Sequence, residues 1–375
     1  MKIAVNIARY LVGILFIFSG LVKANDPAGL SYKMHEFFEA WNMEQFNRFA
    51  LTFSILMIAF EIVAGAALIL GWQIKKVMWL LLLLIVFFTF LTGYAWKSGK
   101  FKSCGCFGDC IPLKPNQSFY KDLLLLALII FLFVKHRLVK PLFGNLVSII
   151  LLLVVTLFSF LIQKYTLDHL PFRDCLSFKV GNNISEKRKL NAGKKEIVMV
   201  HKKDGKEYRY TVPNYPDWLS DSTYVFDRRE EKVLSTGNEG DMILDFALTL
   251  PSGKDTTNDI LQQPYQYIFY FVTALPDAGK SASWDDRFQE MVKAATAKQI
   301  PVYVVTSKPK EAQQYFNEQK KWNLPIFFCD EKPILAAART RPAVYLLNAG
   351  VIKGKWSYKD LGKVIKQIGQ LKPNE

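Results

Sequence analysis

The sequence is short of the groups on which most hydrolases and nucleotide-binding proteins depend. Among its 375 residues there are only four histidines, and they share no motif spacing. There is no Ser-His-Asp pattern, no phosphate-binding loop and no paired-carboxylate motif. Because these chemistries need such residues at defined spacings, the sequence argues against both classes of function. Cysteine is also scarce, with five residues, yet three of them lie within seven positions of one another.

Acidic residues are outnumbered by basic ones, 33 to 48, which gives a formal net charge of +15. The basic residues are interspersed with acids and form no groove-like motif, so nucleic-acid binding is not expected. In the first half of the chain they mostly flank apolar runs, as lipid-facing proteins require. In the second half, lysine-rich stretches such as residues 185–195 are expected to lie against anionic lipid headgroups or to be solvated.

Charged residues are rare in residues 1–163, which hold 15 basic and 7 acidic side chains. Five apolar stretches in this region are long enough to cross a bilayer, which takes about 20 residues. They cover residues 3–24, 49–72, 76–96, 118–135 and 142–163. The first stretch resembles a signal peptide, but Arg9 interrupts it and no small-x-small cleavage site follows. We therefore predict a retained helix and a multi-pass membrane protein.

The distribution of lysine and arginine between the loops predicts the orientation. Lys75 and Lys76 lie in the short loop between the second and third stretches, and residues 135–140, "KHRLVK", join the fourth and fifth. The positive-inside rule places both loops and the N-terminus in the cytoplasm. The opposite loops and everything after the fifth stretch then lie outside. In the inner membrane of a Gram-negative bacterium this side is the periplasm, where disulfides persist.

Three charged residues and an aromatic cluster within the spans are candidate functional or structural features. Glu61 lies near the centre of the second span, where a carboxylate is costly unless it is protonated, paired or facing a wet cavity. It is either a proton or cofactor contact or a hydrogen-bonding group within the bundle. Arg9 and Lys23 lie nearer the ends of their span and are expected to snorkel in structural roles. The phenylalanines of residues 80–96 either stack on a quinone ring or pack in the bundle and against lipid.

The loop over residues 100–113, "KFKSCGCFGDCIPL", contains Cys104, Cys106 and Cys110. Three clustered thiols supply an attacking, a leaving and a resolving sulfur, which favours thiol–disulfide exchange. The lysines at positions 100 and 102 favour the thiolate if they lie close in space. The alternatives are a structural Cys106–Cys110 disulfide and a soft-metal site, although the spacing is unusual for metal ligands. Cys175, a few residues beyond the fifth span, is a further candidate disulfide partner for the loop.

Residues 1–140 resemble the DoxX/MauE group of bacterial membrane proteins, and most of all its methylamine-utilisation MauE type. The matching stretches are "ARYLVGILFIFSGLVKANDP", "EIVAGAALILG", "CGCFGD" and "SFYKDLLLL". The resemblance implies a four-helix membrane bundle that supports disulfide formation in exported partners, with a quinone as the terminal acceptor. The family's Cys-x-Cys motif falls on Cys104 and Cys106, and Cys110 has no position in it. Apart from that motif, nothing in the sequence indicates methylamine.

The second half of the chain has the patterning of a soluble protein. Residues 178–250 contain short strand-like segments, including a predicted hairpin whose turn is Asp204–Gly205. From residue 267 onwards, apolar strands alternate with helices near residues 283–298, 309–321, 331–338 and 358–369. Such alternation predicts a layered α/β sheet.

Residues 240–372 resemble a thioredoxin-like domain of the TlpA and peroxiredoxin type. The resemblance rests on "FALTLPSGKDTTNDIL", "YIFYFVTALPDAGKSASW" and "RTRPAVYLLNAGVIKGKW", and it implies a cis-proline at Pro342 beside an edge that faces a partner chain. Where such enzymes carry Cys-x-x-Cys, this sequence reads "TALPDAGK" and has no cysteine. The domain is therefore interpreted as a binding module. Cys329, Trp284 and Trp356 are predicted packing residues.

The predicted organisation has four parts. Residues 1–140 form the four-helix membrane domain, residues 141–165 a fifth transmembrane helix, residues 166–240 a small β-rich periplasmic segment, and residues 241–375 the thioredoxin-like domain. The leading hypothesis is a membrane thiol–disulfide oxidoreductase, or its redox accessory, that acts on periplasmic partner proteins. The alternative is a non-enzymatic scaffold in which a redox-inactive thioredoxin fold grips an envelope partner.

Overall fold

The computed structural model divides the chain into an N-terminal helical part and a C-terminal part of sheets and helices. It describes residues 1–99, 101, 103–189, 195–203, 206–212, 216, 223, 225–233, 243, 246–250, 253–277 and 279–374. Five helices of the first part are long and apolar enough to cross a membrane. The protein is thus a multi-pass membrane protein with a soluble α/β region.

Among its described residues, the helical part has six α-helices. They are α1 (Lys2–Ala24), α2 (Pro27–Ala40), α3 (Ala50–Leu70), α4 (Ile74–Ser98), α5 (Pro115–Val134) and α6 (Asn145–Asp168). All except α2 are candidate membrane spans, and the span that contains α3 begins at Glu44 with a short 3-10 helix. The sequence did not predict α2, which starts at Pro27 and is capped by the Asp26 carboxylate accepting the Gly29 N–H. Helix α2 has 14 residues and mixes polar with aromatic side chains, so it is too short and too polar to span a membrane.

Helices α1 and α3 form the centre of the bundle because small residues let their backbones approach closely. A Cβ added at Gly65 would lie 2.7 Å from the carbonyl oxygen of Gly13. Arg9 fixes the end of the same pair, since its Nε donates to the Leu68 carbonyl and its Nη1 to the Lys140 carbonyl, both at 2.9 Å. Arg9 is 2% exposed. The prediction that it snorkels towards water is therefore wrong, because the carbonyls at the end of α3 bind it inside.

The soluble part begins with α7 (Ile184–Lys189) and a three-stranded antiparallel sheet in the order β2-β1-β3. The strands are β1 (Lys195–Lys203), β2 (Lys206–Val212) and β3 (Val225–Val233). Strands β1 and β2 pair in register up to Lys203 opposite Lys206, as a hairpin requires. The predicted turn residues, Asp204 and Gly205, lie outside the described residues.

The second sheet has five strands in the order β6-β5-β4-β7-β8. The strands are β4 (Gln266–Phe271), β5 (Val302–Thr306), β6 (Ile326–Phe328), β7 (Ala343–Asn348) and β8 (Val351–Ser357). Strands β4, β5 and β6 pair in parallel. Strand β7 pairs antiparallel with β4, and β8 pairs antiparallel with β7. The accompanying helices are α8 (Thr257–Leu261), α9 (Asp285–Ala297), α10 (Pro309–Ala312, continued as a π-helix over Gln313–Gln319), α11 (Glu331–Ala337) and α12 (Leu361–Gln370).

Hydrophobic cores cover both faces of the five-stranded sheet. On one face, Trp284 and Phe288 pack against the Tyr270 ring, with a centroid distance of 4.2 Å between Tyr270 and Phe288. On the other face, Cys329 is fully buried. Trp284 and Cys329 are therefore packing residues, as predicted. Trp356 is partly buried and packs against the core that contains Trp284.

Candidate functional site

A cavity of about 520 Å³ lies inside the helical bundle, walled by α1, α2, α3, α4, α5 and the loop that follows α4. Its surface is dominated by aromatic and aliphatic side chains. The aromatic residues include Phe37, Phe38, Trp41, Phe87, Phe88 and Phe107. Its volume and apolar lining are in the range of small-molecule sites.

Cys104 and Cys106 both line this cavity, and both are free thiols in the structure. Cys104 is buried against Phe37 and Phe101, whereas Cys106 is half-buried. Gly105, which separates them, has a φ of 68°, a conformation that residues with a Cβ rarely adopt. The backbone of the Cys-Gly-Cys segment therefore depends on glycine to bring both sulfurs to the cavity wall.

Burial determines the acidity of the two thiols. It raises the pKa of Cys104 to about 12, and the nearby Cys106 and Asp122 act in the same direction. Burial also raises the pKa of Cys106, but the ammonium groups of Lys121 and Lys23 oppose it. The thiolate of Cys106 therefore has two nearby cations that stabilise it.

A buried ion pair faces the cavity from α1 and α3. Lys23 Nζ lies 2.5 Å from Glu61 Oε1, and the side chains are 3% and 1% exposed. The Ser19 hydroxyl lies within hydrogen-bonding distance of both Glu61 Oε2, at 3.1 Å, and the Cys106 carbonyl oxygen, at 3.0 Å. The expectation that Lys23 snorkels is wrong, because Glu61 holds it inside the bundle. Glu61 is thus paired, and it is linked through Ser19 to the cysteine loop.

A second charged pair at the cavity wall, on α5, was missed by sequence reasoning. Lys121 Nζ lies 2.8 Å from Asp122 Oδ1, and Asp122 Oδ2 accepts a hydrogen bond from Thr92 at 3.0 Å. The Lys121 ammonium also lies 4.8 Å from the centroid of the Phe107 ring, next to Cys106 in sequence. The signal was present as two adjacent charges at the start of a predicted span, in "SFYKDLLLL".

The structure joins Cys110 to Cys175 by a disulfide that spans 65 positions of sequence. This bond connects the cysteine loop to the segment after α6. The Asn25 amide supports it by donating to the Arg173 carbonyl at 2.9 Å. The alternative Cys106–Cys110 disulfide is not formed, because Cys175 occupies the bonding position at Cys110. The lysines at positions 100 and 102, expected to favour the thiolate, lie outside the described residues.

The soluble domain docks on the same loop through Arg339, which is 6% exposed. Its guanidinium lies 2.7 Å from Asp109 Oδ2 and 2.9 Å from Asp26 Oδ2, the latter as an ion pair without hydrogen-bond geometry. Burial alone lowers the pKa of Arg339, but the two carboxylates outweigh it and raise the pKa above its usual value. Asp109 and Asp26 are thus the partners that make a buried guanidinium tolerable.

The peptide bond between Arg341 and Pro342 is cis. The edge beside it was predicted to be free for a partner chain. In the structure, residues 338–341 instead face α2 of the chain's own membrane domain. The prediction of a free edge is wrong, because Arg339 and the paired carboxylates hold this edge against the bundle.

The metal interpretation has no geometric support in the part of the chain that the structure describes. No group of three histidine, cysteine or acidic side chains there is arranged to hold a metal ion. The described cysteines instead face an apolar cavity or form the Cys110–Cys175 disulfide, apart from Cys329 in the core of the soluble domain.

The fold and the site define a multi-pass helical membrane protein with a cysteine-lined cavity and a soluble α/β extension. Residues 1–135 match the model of the family described as methylamine utilisation protein MauE, and residues 195–236 match a domain of unknown function, DUF8463. Over residues 1–135 the chain is therefore similar to the MauE family of membrane proteins, and a soluble α/β region follows.

Among curated proteins, the chain is similar to Protein TlpB of Flavobacterium psychrophilum, with 28% identity over 128 residues. The match covers 33% of this chain and 35% of that protein, so the chain spans about a third of the relative's length. No solved structure matches the chain.

Proposed function

We propose that this protein carries out thiol–disulfide exchange with exported partner proteins through its cysteine loop. The observation that carries the proposal is that Cys104 and Cys106 both line the apolar cavity inside the bundle. The Cys110–Cys175 disulfide lies on the same loop, four positions beyond Cys106. Two sulfur pairs are therefore available, one at the cavity and one at the outer part of the loop.

The first step is exchange at the Cys110–Cys175 disulfide. A thiolate of the partner attacks one of its sulfurs, the S–S bond breaks, and the other sulfur leaves as a thiolate. The partner's second thiolate then attacks the mixed disulfide. The partner is left with a disulfide, and Cys110 and Cys175 hold both electrons as thiols, with the partner's two protons.

The second step passes the same two electrons inward. The Cys110 and Cys175 thiols reduce a Cys104–Cys106 disulfide, so the outer disulfide reforms and the inner pair becomes two thiols. The ammonium of Lys121 supports this step because it favours a thiolate at Cys106. The short separation along the loop supports it too, since only three residues lie between Cys106 and Cys110.

The family resemblance implies a quinone as the terminal acceptor, and the residues around the cavity fit one. Phe88 and Phe107 offer ring surfaces to hold a planar apolar group, and the Lys23–Glu61 and Lys121–Asp122 pairs offer polar contacts at the wall. A quinone supplies a two-electron, two-proton acceptor. That capacity matches the electrons and protons released when the Cys104 and Cys106 thiols form a disulfide.

The proposal places the protein in the bacterial inner membrane, with the N-terminus in the cytoplasm and the soluble domain in the periplasm. The positively charged loop around residues 135–140 supports this orientation. A disulfide between Cys110 and Cys175 is also consistent with an oxidising compartment.

The test is the redox state of the cysteines in cell membranes, measured by alkylation with a mass tag before and after reduction. We expect Cys104 and Cys106 to interconvert between a tagged and an untagged form when a reduced partner or an oxidant is supplied. Permanent reduction of both, or a permanent and inaccessible bond between them, would contradict the proposal. A Cys329→Ala variant serves as the control, because it removes a core thiol distant from the loop in sequence.

A second candidate function is a non-enzymatic scaffold that grips an envelope partner. The observation that favours it is that the thioredoxin-like region has no cysteine between Cys175 and Cys329. Changing Cys104, Cys106 and Cys110 together to serine separates the two functions. Retained function and retained capture of the partner would favour the scaffold, whereas loss of function in a folded triple variant would favour exchange.

A further inference from the structure

A second cavity, of about 180 Å³, lies between α2 and the segment that precedes the cis-proline. One face of α2 forms a wall, since Ala28, Ser31, Tyr32 and His35 recur at the spacing of a single helix face. Residues 338–341 form the opposite wall. The cavity is separate from the cysteine-lined one and belongs to the interface between the membrane and soluble parts.

Four polar side chains that line this cavity make no hydrogen bond or ion pair with any described residue. They are Ser31, Tyr32, His35 and Arg341. Ser31 is the most enclosed of the four, at 6% exposed, whereas Tyr32 and His35 are half-buried and Arg341 is exposed. Donors that open onto a cavity without a protein acceptor are available to a ligand or to water. All four side chains can donate a hydrogen bond.

The charge of the cavity is set by Arg341. The other lining arginine, Arg339, is already paired with Asp26 and Asp109. Burial lowers the pKa of His35, and Arg341 acts in the same direction, whereas Glu331 and Glu39 oppose it. Neither acid lines the cavity, and Glu39 is bound by Lys332 at 2.8 Å. A guanidinium with neutral hydroxyl and imidazole donors therefore faces the space.

The depth of the cavity indicates where its ligand comes from. Leu51 and Leu167 complete the lining, and they lie at the start of α3 and the end of α6. Both helices belong to candidate membrane spans, and we infer that these ends of them lie near the lipid headgroups. Arginine at this level is well suited to phosphate, which it binds through parallel N–H donors.

We propose that this cavity binds a phosphate oxyanion between Arg341, His35, Tyr32 and Ser31, and that the ligand is the headgroup phosphate of an anionic phospholipid. The site is independent of the cysteine chemistry, so it stands or falls separately from the proposed function. A bound lipid would seal the interface between the soluble domain and the bundle at the membrane surface. Free phosphate shares the same chemistry and is distinguished by experiment.

The test uses the full-length protein in detergent, with phosphatidylglycerol and inorganic phosphate as probes. Retention of the lipid is measured by native mass spectrometry, and stabilisation by phosphate is measured by thermal unfolding. The variants are Arg341→Gln and Ser31→Ala. The matched control is Arg48→Gln, because Arg48 is an exposed arginine near the same end of α3 and does not line the cavity.

We expect Arg341→Gln to lower lipid retention about tenfold relative to Arg48→Gln, since it removes a charge-assisted contact. Ser31→Ala should lower retention by a smaller factor without changing the unfolding temperature of the lipid-free protein. If phosphate stabilises the wild type but not Arg341→Gln while lipid retention is equal, the oxyanion site stands and its source is free phosphate. If neither probe distinguishes Arg341→Gln and Ser31→Ala from Arg48→Gln, the proposal is wrong.

Discussion

Asp109 and Arg339 form an ion pair, with 2.7 Å between Oδ2 and Nη2, that joins the cysteine loop to the soluble domain across 230 positions of sequence. The next residue in the loop, Cys110, is bonded to Cys175. Two connections at adjacent positions therefore tie the loop to segments of the chain beyond the membrane domain. The position of the cysteine loop consequently depends on the soluble domain being docked.

Replacing Arg339 should undock the soluble domain. Arg339→Met leaves Asp26 and Asp109 without their cation, and breaking a buried pair in this way costs about 3 kcal/mol or more. We expect a lower unfolding temperature and faster proteolysis between the two parts. The control is Arg287→Met, since Arg287 is 66% exposed and pairs with Glu290 on a helix surface, where such pairs contribute about 0.5 kcal/mol. Equal stability of the two variants would mean that Arg339 does not hold the interface.

The pKa of Cys104 predicts how it reacts with alkylating agents. Because burial raises this pKa to about 12, only about one molecule in ten thousand carries the thiolate at pH 8. A raised thiol pKa means less thiolate, so the alkylation rate should rise about tenfold for each pH unit above 8. The reaction should be about a thousandfold slower at pH 8 than that of an exposed thiol with a pKa near 9.

The comparison thiol is supplied by a Lys280→Cys variant, because Lys280 is 71% exposed. Rates are measured on reduced protein in detergent by mass spectrometry of the modified peptides. Similar rates at the two sites at pH 8 would show that Cys104 is not held in the apolar environment seen beside Phe37 and Phe101.

Lys121 should control the reactivity of Cys106. Lys121→Gln removes one of the two cations that oppose the effect of burial, so the thiolate of Cys106 loses a favourable neighbour. The pKa of Cys106 should rise and its alkylation at pH 8 should slow about tenfold. Lys121→Arg should restore the rate, and Lys97→Gln, which removes an exposed lysine, should leave it unchanged. A normal rate in Lys121→Gln would exclude this role.

The spans and the order of strands and helices followed from local patterns. Long apolar runs predicted α1 and α3 to α6 within a few residues, and the alternation of strands with helices predicted the layered soluble domain. The ion pairs and the disulfide could not be predicted from local patterns, because they depend on tertiary structure. Lys23 and Glu61 are 38 positions apart, and nothing local indicates that one charge finds the other. Five cysteines likewise left the Cys110–Cys175 connection open among several alternatives.

The buried pair at the cavity gives a prediction that separates stability from function. Glu61→Gln alone leaves Lys23 as an unpaired buried charge, which should destabilise the bundle by about 3–5 kcal/mol. The double variant Lys23→Met, Glu61→Leu removes both charges and should be more stable than the single one, since apolar replacements often match a buried pair. Thermal unfolding of the wild type, Glu61→Gln and the double variant is compared, and Lys23→Met and Glu61→Leu alone complete the double-mutant cycle.

The redox assay on the double variant then decides the role of the pair. If it is stable yet no longer interconverts Cys104 and Cys106, the pair serves the reaction. If it interconverts them normally, the pair is structural. A double variant less stable than Glu61→Gln would show that the unpaired Lys23 charge is not what destabilises the single variant.

The Cys110–Cys175 disulfide either passes electrons to the inner cysteine pair, as a relay, or only stabilises the fold, as a staple. A single variant distinguishes the two roles. Cys175→Ser removes the bond to Cys110, and in the proposed relay it disconnects the partner's thiols from the inner pair. Cys104 and Cys106 should then accumulate as a disulfide, because no electrons reach them while their acceptor still withdraws electrons. Mass tagging in membranes measures this directly, with Cys329→Ala as the matched loss of one thiol. If the disulfide is only a staple, Cys175→Ser lowers the unfolding temperature, with a loss of about 2–5 kcal/mol, and the inner pair keeps its wild-type redox state.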